Sequence, residues 1–308
     1  MHAMKRTMLA LLIVLFVFPA TVSAKTTIKT SCDATQFKIV LKTTTDLKES
    51  ASTDSKTLET YRKNKELSVI GKTGNWYKVC HSNHTGYIAM KNAREVFSSG
   101  EKTILKKLDK RKDISQLVAA TGKTMGGMKV TIRTYEKKKG EWRRALGDMK
   151  GVTGKNGFTK NKKEGDGKAP VGMYSFGTAF GSTSKPDKVK MDYRKTTKYD
   201  YWIDDPASKD YNKWVTYKGK NPYEKWKSFE RMNHELYKYG AVINYNRNPI
   251  IKGKGSAIFL HIWRGENKPT AGCTATSEKN VLSLLKWMDP EKNPHIIMGT
   301  YDSLNSVK

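Results

Sequence analysis

The C-terminal third of the chain has the clearest hydrophobic pattern. An unbroken apolar run, Ala257-Ile-Phe-Leu260, predicts a strand buried on both faces, and His261 follows it directly. A loop rich in Gly, Asn and Pro then leads to Thr270-Ala-Gly-Cys273. Beyond it, apolar residues recur at helical spacing and predict a helix over 278–288, with Ser277 as its N-cap. The pattern therefore predicts a strand–loop–helix unit.

The segment 33–97 carries short β-rich runs separated by turn residues such as Gly and Asn. The runs lie at 37–41, 66–70, 76–79 and 86–88. Their length and spacing predict a small β-barrel.

The next segment, 98–125, begins with a Ser-Ser-Gly break and continues as a charged helical stretch from Glu101 to Asp113. A narrow apolar stripe runs through it and is expected to continue beyond it; its members are Ile104, Leu105, Leu108, Ile114, Leu117 and Val118. The segment is predicted to be a linker helix or the outer edge of the domain that follows.

The remaining residues, 126–302, form the second predicted domain. Alternation over 128–135 predicts a half-buried strand with a return at Glu141-Trp142, and further strands are predicted at 171–176 and 237–245. The last of these is expected to pair with the strand ending at His261. Because only one short helix, 278–288, has a clear helical pattern of apolar residues, the predicted fold class is mainly β, with few short helices.

Residues 177–245 are rich in Tyr, Trp, Asp and Lys and lack a long periodic helix. The phrases Tyr199–Asp205 and Tyr211–Trp214 predict an insertion that shapes a cleft. Its aromatic and carboxylate side chains either line a groove for a ligand or pack the insertion onto the sheet.

The N-terminal residues and the net charge indicate where the protein is located and what kind of polymer it meets. Residues 1–24 combine Lys5-Arg6, a short apolar run and a small-residue site after Ala24, which predicts a cleaved secretory signal peptide. The apolar run is too short to span a bilayer well, so no stable membrane insertion is expected after cleavage.

Removing Lys5 and Arg6 lowers the formal charge from +29 to +27. This excess predicts a polyanionic setting. Export argues against nucleic acid and favours anionic cell-wall polymers.

The chain has three cysteines, Cys32, Cys80 and Cys273. In an exported protein an odd count suggests one bridge and one free thiol, and Cys32–Cys80 is the natural pair within the first domain. His81 and His84 flank Cys80, but three ligands on a hairpin loop do not make a closed zinc site. No metal or organic cofactor is predicted.

Cys273 and His261 together suggest thiol nucleophilic catalysis. A thiol with an ordinary pKa of about 8.5 needs a base, and a histidine at a neighbouring strand end can supply it across a loop. Gly272 allows a tight turn, so that the amides of Gly272, Cys273 and Thr274 can point at one oxyanion. Either residue alone is more often structural, whereas the pair on one unit favours catalysis.

The same stretch resembles the catalytic motif of the L,D-transpeptidases of YkuD type, in which a strand-end His precedes a Ser/Thr-x-Gly-Cys loop. Upstream, Gly165–Tyr174 resembles that family's Gly-x-x-x-Thr-Pro-x-Gly-x-Phe/Tyr motif, and the resemblance spans about 130–299. Two departures are Ala271, where many members have His, and Ala275, where many have Arg. They suggest a divergent branch.

The first domain resembles the bacterial SH3-like domain through Gly74–Val79 and Thr85–Ile88. That resemblance implies wall binding or targeting. Trp76 and Tyr87 are then candidates to face a ligand, although we expect Trp76 to pack in the core of the barrel.

The catalytic resemblance implies a peptidoglycan L,D-transpeptidase, secreted to the wall or envelope of a bacterium. Cys273 attacks a stem-peptide carbonyl, His261 takes and returns the proton, the Gly272–Cys273 amides hold the oxyanion, and Thr270 orients His261 or the substrate. The alternatives are an L,D-carboxypeptidase or wall endopeptidase that hydrolyses stem peptides, and a wall-binding protein without activity. A sortase would need an Arg after Cys273, and none is present. A papain-like enzyme would place its Cys before its His, whereas here His261 precedes Cys273.

Overall fold

A computed structural model describes residue 32 and residues 35–82 and 84–305. The predicted signal peptide, 1–24, lies outside these residues. In the part of the chain that the structure describes, no helix is both long and apolar enough to cross a membrane.

The first domain is one seven-stranded antiparallel sheet with the spatial order β3-β2-β6-β5-β4-β1-β7. Its strands are β1 (Phe37–Leu41), β2 (Thr45–Lys48), β3 (Thr57–Tyr61), β4 (Glu66–Thr73), β5 (Trp76–His81), β6 (His84–Ala89) and β7 (Ala93–Val96). Alternate residues of the strands face inward and form the core, which includes Ile39, Leu41, Leu47, Val69 and Tyr77. The predicted small β-domain is thus confirmed.

The expectation for Trp76 is wrong. Trp76 is half-buried, whereas Tyr77 is only 1% exposed. Because side chains alternate along β5, the strand can turn only one of these two neighbours inward, and Val79 shares the inner face with Tyr77.

A disulfide joins Cys32 to Cys80, with a Cα–Cα distance of 5.6 Å. It ties the residues before β1 to β5, and its formation confirms the predicted pairing. Among the described residues Cys273 is the free cysteine.

Helix α1 (Ser99–Leu108) follows the first domain. It begins with a capping box, in which Ser98 Oγ accepts from the Glu101 amide and Glu101 accepts from the Ser98 amide. Its apolar stripe is buried, as predicted, but the stripe does not continue as helix. Residues 116–122 instead form a strand whose side chains are almost all buried. A run buried on both faces has no alternation, and for this reason its periodicity did not reveal a strand.

The second domain is built on a ten-stranded sheet. It also contains a parallel pair, β12 with β13, and a three-stranded sheet in the order β17-β16-β18. The strands are β8 (Gln116–Gly122), β9 (Lys129–Lys138), β10 (Glu141–Arg144), β11 (Met149–Val152), β12 (Phe158–Thr159), β13 (Ala169–Pro170), β14 (Gly172–Gly181), β15 (Tyr193–Lys195), β16 (Asp200–Ile203), β17 (Trp214–Thr216), β18 (Phe229–Arg231), β19 (Gly240–Ile243), β20 (Phe259–Ile262), β21 (Thr274–Thr276) and β22 (His295–Gly299).

Eight strands of the large sheet close into a barrel. The order β9-β11-β21-β20-β19-β14-β22-β8 is completed by pairing between β8 and β9, while β10 extends from β9 and β15 from β14. The predicted pairing of the strand before His261 with its neighbour is confirmed, because Gly240 lies opposite His261. The fold is mainly β, as predicted.

Two further helices are α2 (Glu278–Trp287) and α3 (Tyr301–Asn305), and short 3-10 turns lie at Met90–Asn92, Pro222–Glu224, Glu235–Tyr237 and Pro290–Lys292. Helix α2 matches the predicted helix, and Ser277 caps it by accepting from the Asn280 amide. Its apolar face packs into the main core beside Leu260 and Ile243. The helix thereby covers the strands that carry the candidate site.

The two domains are joined by a buried charged contact centred on Arg144, whose side chain is 5% exposed. Its Nη2 donates to Glu101 Oε1 of α1 at 2.6 Å, and its backbone amide donates to Glu95 Oε2 of the first domain at 2.8 Å. The guanidinium also stacks over Phe37 and Phe97. A buried ion pair of this kind fixes orientation more than it adds stability.

Candidate active site

Cys273 and His261 lie on two neighbouring parallel strands. In the register of β20 and β21, Leu260 pairs with Thr274 and His261 with Ala275. Cys273 stands immediately before β21, two residues from Ala275. Since side chains two apart on a strand share a face, Cys273 and His261 project to the same side of the sheet. Both line one cavity of about 310 Å³.

The Cys273 thiol is held by backbone groups. Its Sγ accepts from the Phe259 amide at 3.3 Å and donates to the Ala257 carbonyl at 3.1 Å. Ala257 has a φ of 52°, in the left-handed region that a residue with a Cβ rarely adopts. Among the described residues no hydrogen bond joins Sγ to the His261 ring. The thiol therefore rests against the backbone at the start of the neighbouring strand β20.

Burial sets the charge state of both groups. Cys273 is 7% and His261 is 5% exposed. Desolvation disfavours the charged forms, so it raises the pKa of the Cys273 thiol to about 12 and lowers the pKa of the His261 imidazole to about 4. At neutral pH the resting pair is a thiol and a neutral imidazole.

The orientation of His261 follows from one hydrogen bond. Its Nδ1 lies 2.8 Å from the carbonyl oxygen of Ile262. A carbonyl only accepts, so the neutral ring carries its proton on Nδ1 and leaves Nε2 as the acceptor. This is the tautomer that a general base requires.

Thr270 shapes the loop before the thiol. Its Oγ1 donates to the Cys273 carbonyl at 2.8 Å and accepts from the Gly272 amide at 3.1 Å. Neither bond reaches His261, so the other half of the expectation, that Thr270 orients the substrate, stays a prediction. These bonds also occupy the Gly272 amide, which was expected to point at an oxyanion, whereas the Cys273 amide has no partner within the described residues.

Gly272 is required by the same turn. Its φ is 156°, and a Cβ there would lie 2.8 Å from the backbone oxygen of Lys168. Lys168 belongs to the segment before β13, which closes over the loop. The four predicted residues, Thr270, Gly272, Cys273 and His261, thus line one cavity.

The comparisons with known proteins agree with this geometry. The family model of the L,D-transpeptidase catalytic domain, YkuD, matches residues 108–297, which is more than half of the chain. The chain belongs to the YkuD family. A second model, of the bacterial SH3 domain, matches residues 43–93. Both predicted resemblances are confirmed, and domains that act on the cell wall imply a location in the cell envelope.

Individual relatives add little. No curated protein matches the chain. Among solved structures, it is similar to the helical cell shape determining protein Pgp2 from Campylobacter jejuni, at 17% identity and a TM-score of 0.33, over 66% of this chain. The match spans 56% of the Pgp2 chain, a little over half of its length.

The YkuD site also contains residues that the pattern did not single out. The ring of Tyr237 meets the His261 ring edge-on, with centroids 5.2 Å apart and an interplanar angle of 86°. Its hydroxyl donates to Glu230 Oε2 at 3.0 Å. The one available signal was the aromatic and acidic character of the insertion.

The insertion supplies one wall of the cavity, as predicted. Asp204 follows β16, Glu230 lies on β18, and His234 and Leu236 follow it; all four line the cavity. Burial raises the pKa of Asp204 to about 6. No cluster of His, Cys, Asp or Glu within the described residues fits a metal ion.

Proposed function

We propose that the protein is a peptidoglycan L,D-transpeptidase with Cys273 as nucleophile. One observation supports the proposal above others: Cys273 and His261 project from adjacent strands into the same cavity, next to a loop that presents a backbone amide. The YkuD family supplies the cell-wall substrate class. The substrate we propose is a stem peptide whose penultimate residue is a diamino acid.

In the first half-reaction Cys273 Sγ bonds to the carbonyl carbon of that diamino acid. The thiol proton passes to Nε2 of His261 and then to the departing nitrogen, so the amide bond breaks and a terminal D-amino acid leaves. The product is a thioester on Cys273. In the second half-reaction an amine from another stem attacks the thioester, loses its proton to His261 and restores the thiol.

The resting pair does not transfer its proton spontaneously. A thiol with a pKa of about 12 and an imidazole with a pKa of about 4 differ by about 8 units. At 1.36 kcal/mol per unit, forming separated ions costs on the order of 10 kcal/mol. Attraction between the ions offsets part of this cost once Sγ leaves the Ala257 carbonyl and turns toward Nε2. Proton transfer is therefore expected to accompany attack on the substrate.

The oxyanion is assigned to the Cys273 amide. This group is not used by the loop, whereas the Gly272 amide already donates to Thr270. One such donor is worth about 3 kcal/mol in other enzymes. Thr270 then acts by holding the Cys273 peptide in place.

The cellular setting completes the proposal. We propose that residues 1–24 direct export and are removed, and that residues 33–97 hold the enzyme on the wall. The catalytic domain would then follow the 98–125 segment and occupy 126–302, with β8 of that segment as part of its barrel. A net charge of +27 after removal of residues 1–24 suits anionic wall polymers as neighbours.

The decisive experiment incubates the purified protein with muropeptides that carry tetrapeptide stems ending in D-alanine. Wild type is expected to release D-alanine and form cross-linked dimers, whereas Cys273→Ala does neither. The Cys32→Ser/Cys80→Ser double variant is the matched thiol control and should keep the activity.

The products distinguish the alternatives. Release of D-alanine without dimers assigns an L,D-carboxypeptidase, in which water replaces the amine. Cleavage within longer stems assigns an endopeptidase. Binding without turnover in both wild type and Cys273→Ala contradicts the enzyme and leaves a wall-binding protein, a possibility raised by the buried resting thiol.

A further inference from the structure

A second concave site lies away from the YkuD cavity, where the two domains meet. It is an open groove of about 580 Å³. Its walls come from the ends of β1 and β7, from one face of α1, and from the hairpin between β9 and β10. The groove therefore belongs to neither domain alone.

Basic side chains from both domains line this groove. Four of them are exposed and have no hydrogen bond or ion pair with any other described residue: Lys42, Arg94, Lys102 and Lys106. Lys42 and Arg94 come from the SH3-like domain. Lys102 and Lys106 are four apart on α1, where like charges are neighbours on one face and repel by about 0.2–0.5 kcal/mol.

The acidic residues of the groove do not neutralise these four cations, since each has its own partner. Glu95 is bonded to Lys72 at 3.0 Å, Asp109 to Lys137 at 2.9 Å, and Glu141 to Arg143 at 3.2 Å. The groove thus keeps four positive charges without counter-charges from the protein.

The groove is also preformed. Arg144, the residue after the groove residue Arg143, joins Glu95 on β7 to Glu101 on α1, so the walls that carry the cations are fixed relative to each other. A site that needs no rearrangement loses less entropy when a ligand binds.

We propose that this groove binds a linear polyanion of the cell envelope with phosphodiester-linked repeats. Four unpaired cations along an open groove suit a chain that carries regularly spaced negative charges, and phosphate accepts from both lysine and arginine. The choice of an envelope polymer over nucleic acid rests on the exported location in the proposed function. Binding of this polymer at the junction of the two domains would hold the protein on the wall and so position its catalytic domain there.

The test measures binding of a purified poly(glycerol phosphate) chain to the full protein at 0.15 M salt. Lys102→Glu/Lys106→Glu is expected to raise the Kd at least tenfold. The matched control is Lys279→Glu/Lys286→Glu, which makes the same charge change on exposed positions of α2, outside the groove. It should change the Kd no more than threefold, because charges beyond about 8 Å are largely screened.

Each other outcome overturns the proposal. No binding by wild type means that the groove does not bind this polymer. Equal weakening in both double variants means that only net charge acts. Tighter, groove-dependent binding of a single-stranded DNA of equal charge assigns nucleic acid instead. Thermal melting of each variant checks that it is folded. Because the assay involves no turnover, it can fail while D-alanine release succeeds, and the reverse.

Discussion

The ring of Tyr237 stands at right angles to the imidazole of His261, at a centroid distance of 5.2 Å. Tyr237 is itself anchored by its hydroxyl bond to Glu230. The YkuD domain therefore supports the proposed general base, His261, from two sides: the Ile262 carbonyl fixes the tautomer, and Tyr237 fixes the plane of the ring.

Tyr237→Leu should slow acylation of Cys273 about tenfold, since an aromatic pair of this kind is worth about 0.5–1.5 kcal/mol. Tyr237→Phe keeps the ring and should lose no more than threefold. The measurement is the rate at which a carbapenem adds to Cys273, followed by mass spectrometry of the intact protein.

Phe180→Leu is the matched control, because Phe180 packs on Tyr237 and Phe259 without contacting His261. It should lower the melting temperature but leave the acylation rate within threefold. If Phe180→Leu slows acylation as much as Tyr237→Leu, the effect is general loosening of the cluster and Tyr237 has no specific role.

Thr270→Val removes the hydroxyl that joins the Gly272 amide to the Cys273 carbonyl while keeping the size of the side chain. The Gly272 amide would lose its partner, while the Cys273 carbonyl would keep its 3.3 Å bond from Thr153 Oγ1. Leaving this buried amide unpaired should destabilise the loop by about 1–3 kcal/mol, and acylation should slow roughly tenfold. Thr270→Ser keeps the hydroxyl and should restore most of the rate. Equal rates for the Val and Ser variants would show that the hydroxyl is not needed.

Most residues of the candidate site could be predicted because they lie in one continuous stretch of sequence. The strand, His261, the loop and the helix after Ser277 are consecutive, and each carries its own signature: an apolar run, glycine, an N-cap and helical spacing. What the pattern missed depends on tertiary contacts. Tyr237 reaches His261 through the pairing of β19 with β20, which no spacing in the sequence encodes.

In the fold, too, elements with a local sequence pattern were predicted, and features that depend on tertiary contacts were missed. The short strands of the first domain and helix α2 were predicted from alternation and periodicity. Strand β8 was not, because its side chains are buried on both faces: Val118 and Ala120 lie in the main core, and Leu117 and Ala119 lie in a second cluster with the apolar stripe of α1. Trp76 was expected to pack in the core, but the register of β5 turns Tyr77 inward instead. Chain closure and register are properties of the whole sheet.

The Cys32–Cys80 disulfide should stabilise the first domain without affecting the chemistry. It closes a loop with a sequence separation of 48 residues. The chain-entropy model gives about 4 kcal/mol for a loop of this length. Reduction by dithiothreitol should lower the denaturant midpoint of the first domain while Cys273 is still acylated at its normal rate.

The Cys32→Ser/Cys80→Ser variant provides the control for that experiment, since the reductant should not change its denaturation curve. A reductant effect of the same size in this variant would mean that the disulfide is not the source. Loss of Cys273 acylation on reduction would contradict the separation of the two domains' roles.

Buried His261 and partly buried Asp204 of the candidate active site should act oppositely on stability as the pH changes. The pKa of His261 falls from its ordinary 6.5 to about 4, so the unfolded chain binds more protons between these values, and His261 makes the protein more stable as the pH rises. The pKa of Asp204 rises from 3.8 to about 6, so the folded state binds more protons there. Asp204 makes the protein less stable as the pH rises through the same window. Each contribution is about 3 kcal/mol, and in wild type the two nearly cancel.

Single substitutions should separate these opposing effects. Relative to wild type, Asp204→Asn should gain up to about 3 kcal/mol between pH 4 and 6, because only the His261 contribution remains. His261→Gln should lose a similar amount over that range, because only the Asp204 contribution remains. Urea denaturation at half-unit pH steps measures both slopes, and groups common to all three proteins cancel in the differences. Slopes of the same sign in the two variants would show that one of these side chains is open to water in solution, and for His261 that would remove the desolvated base on which the proposed mechanism depends.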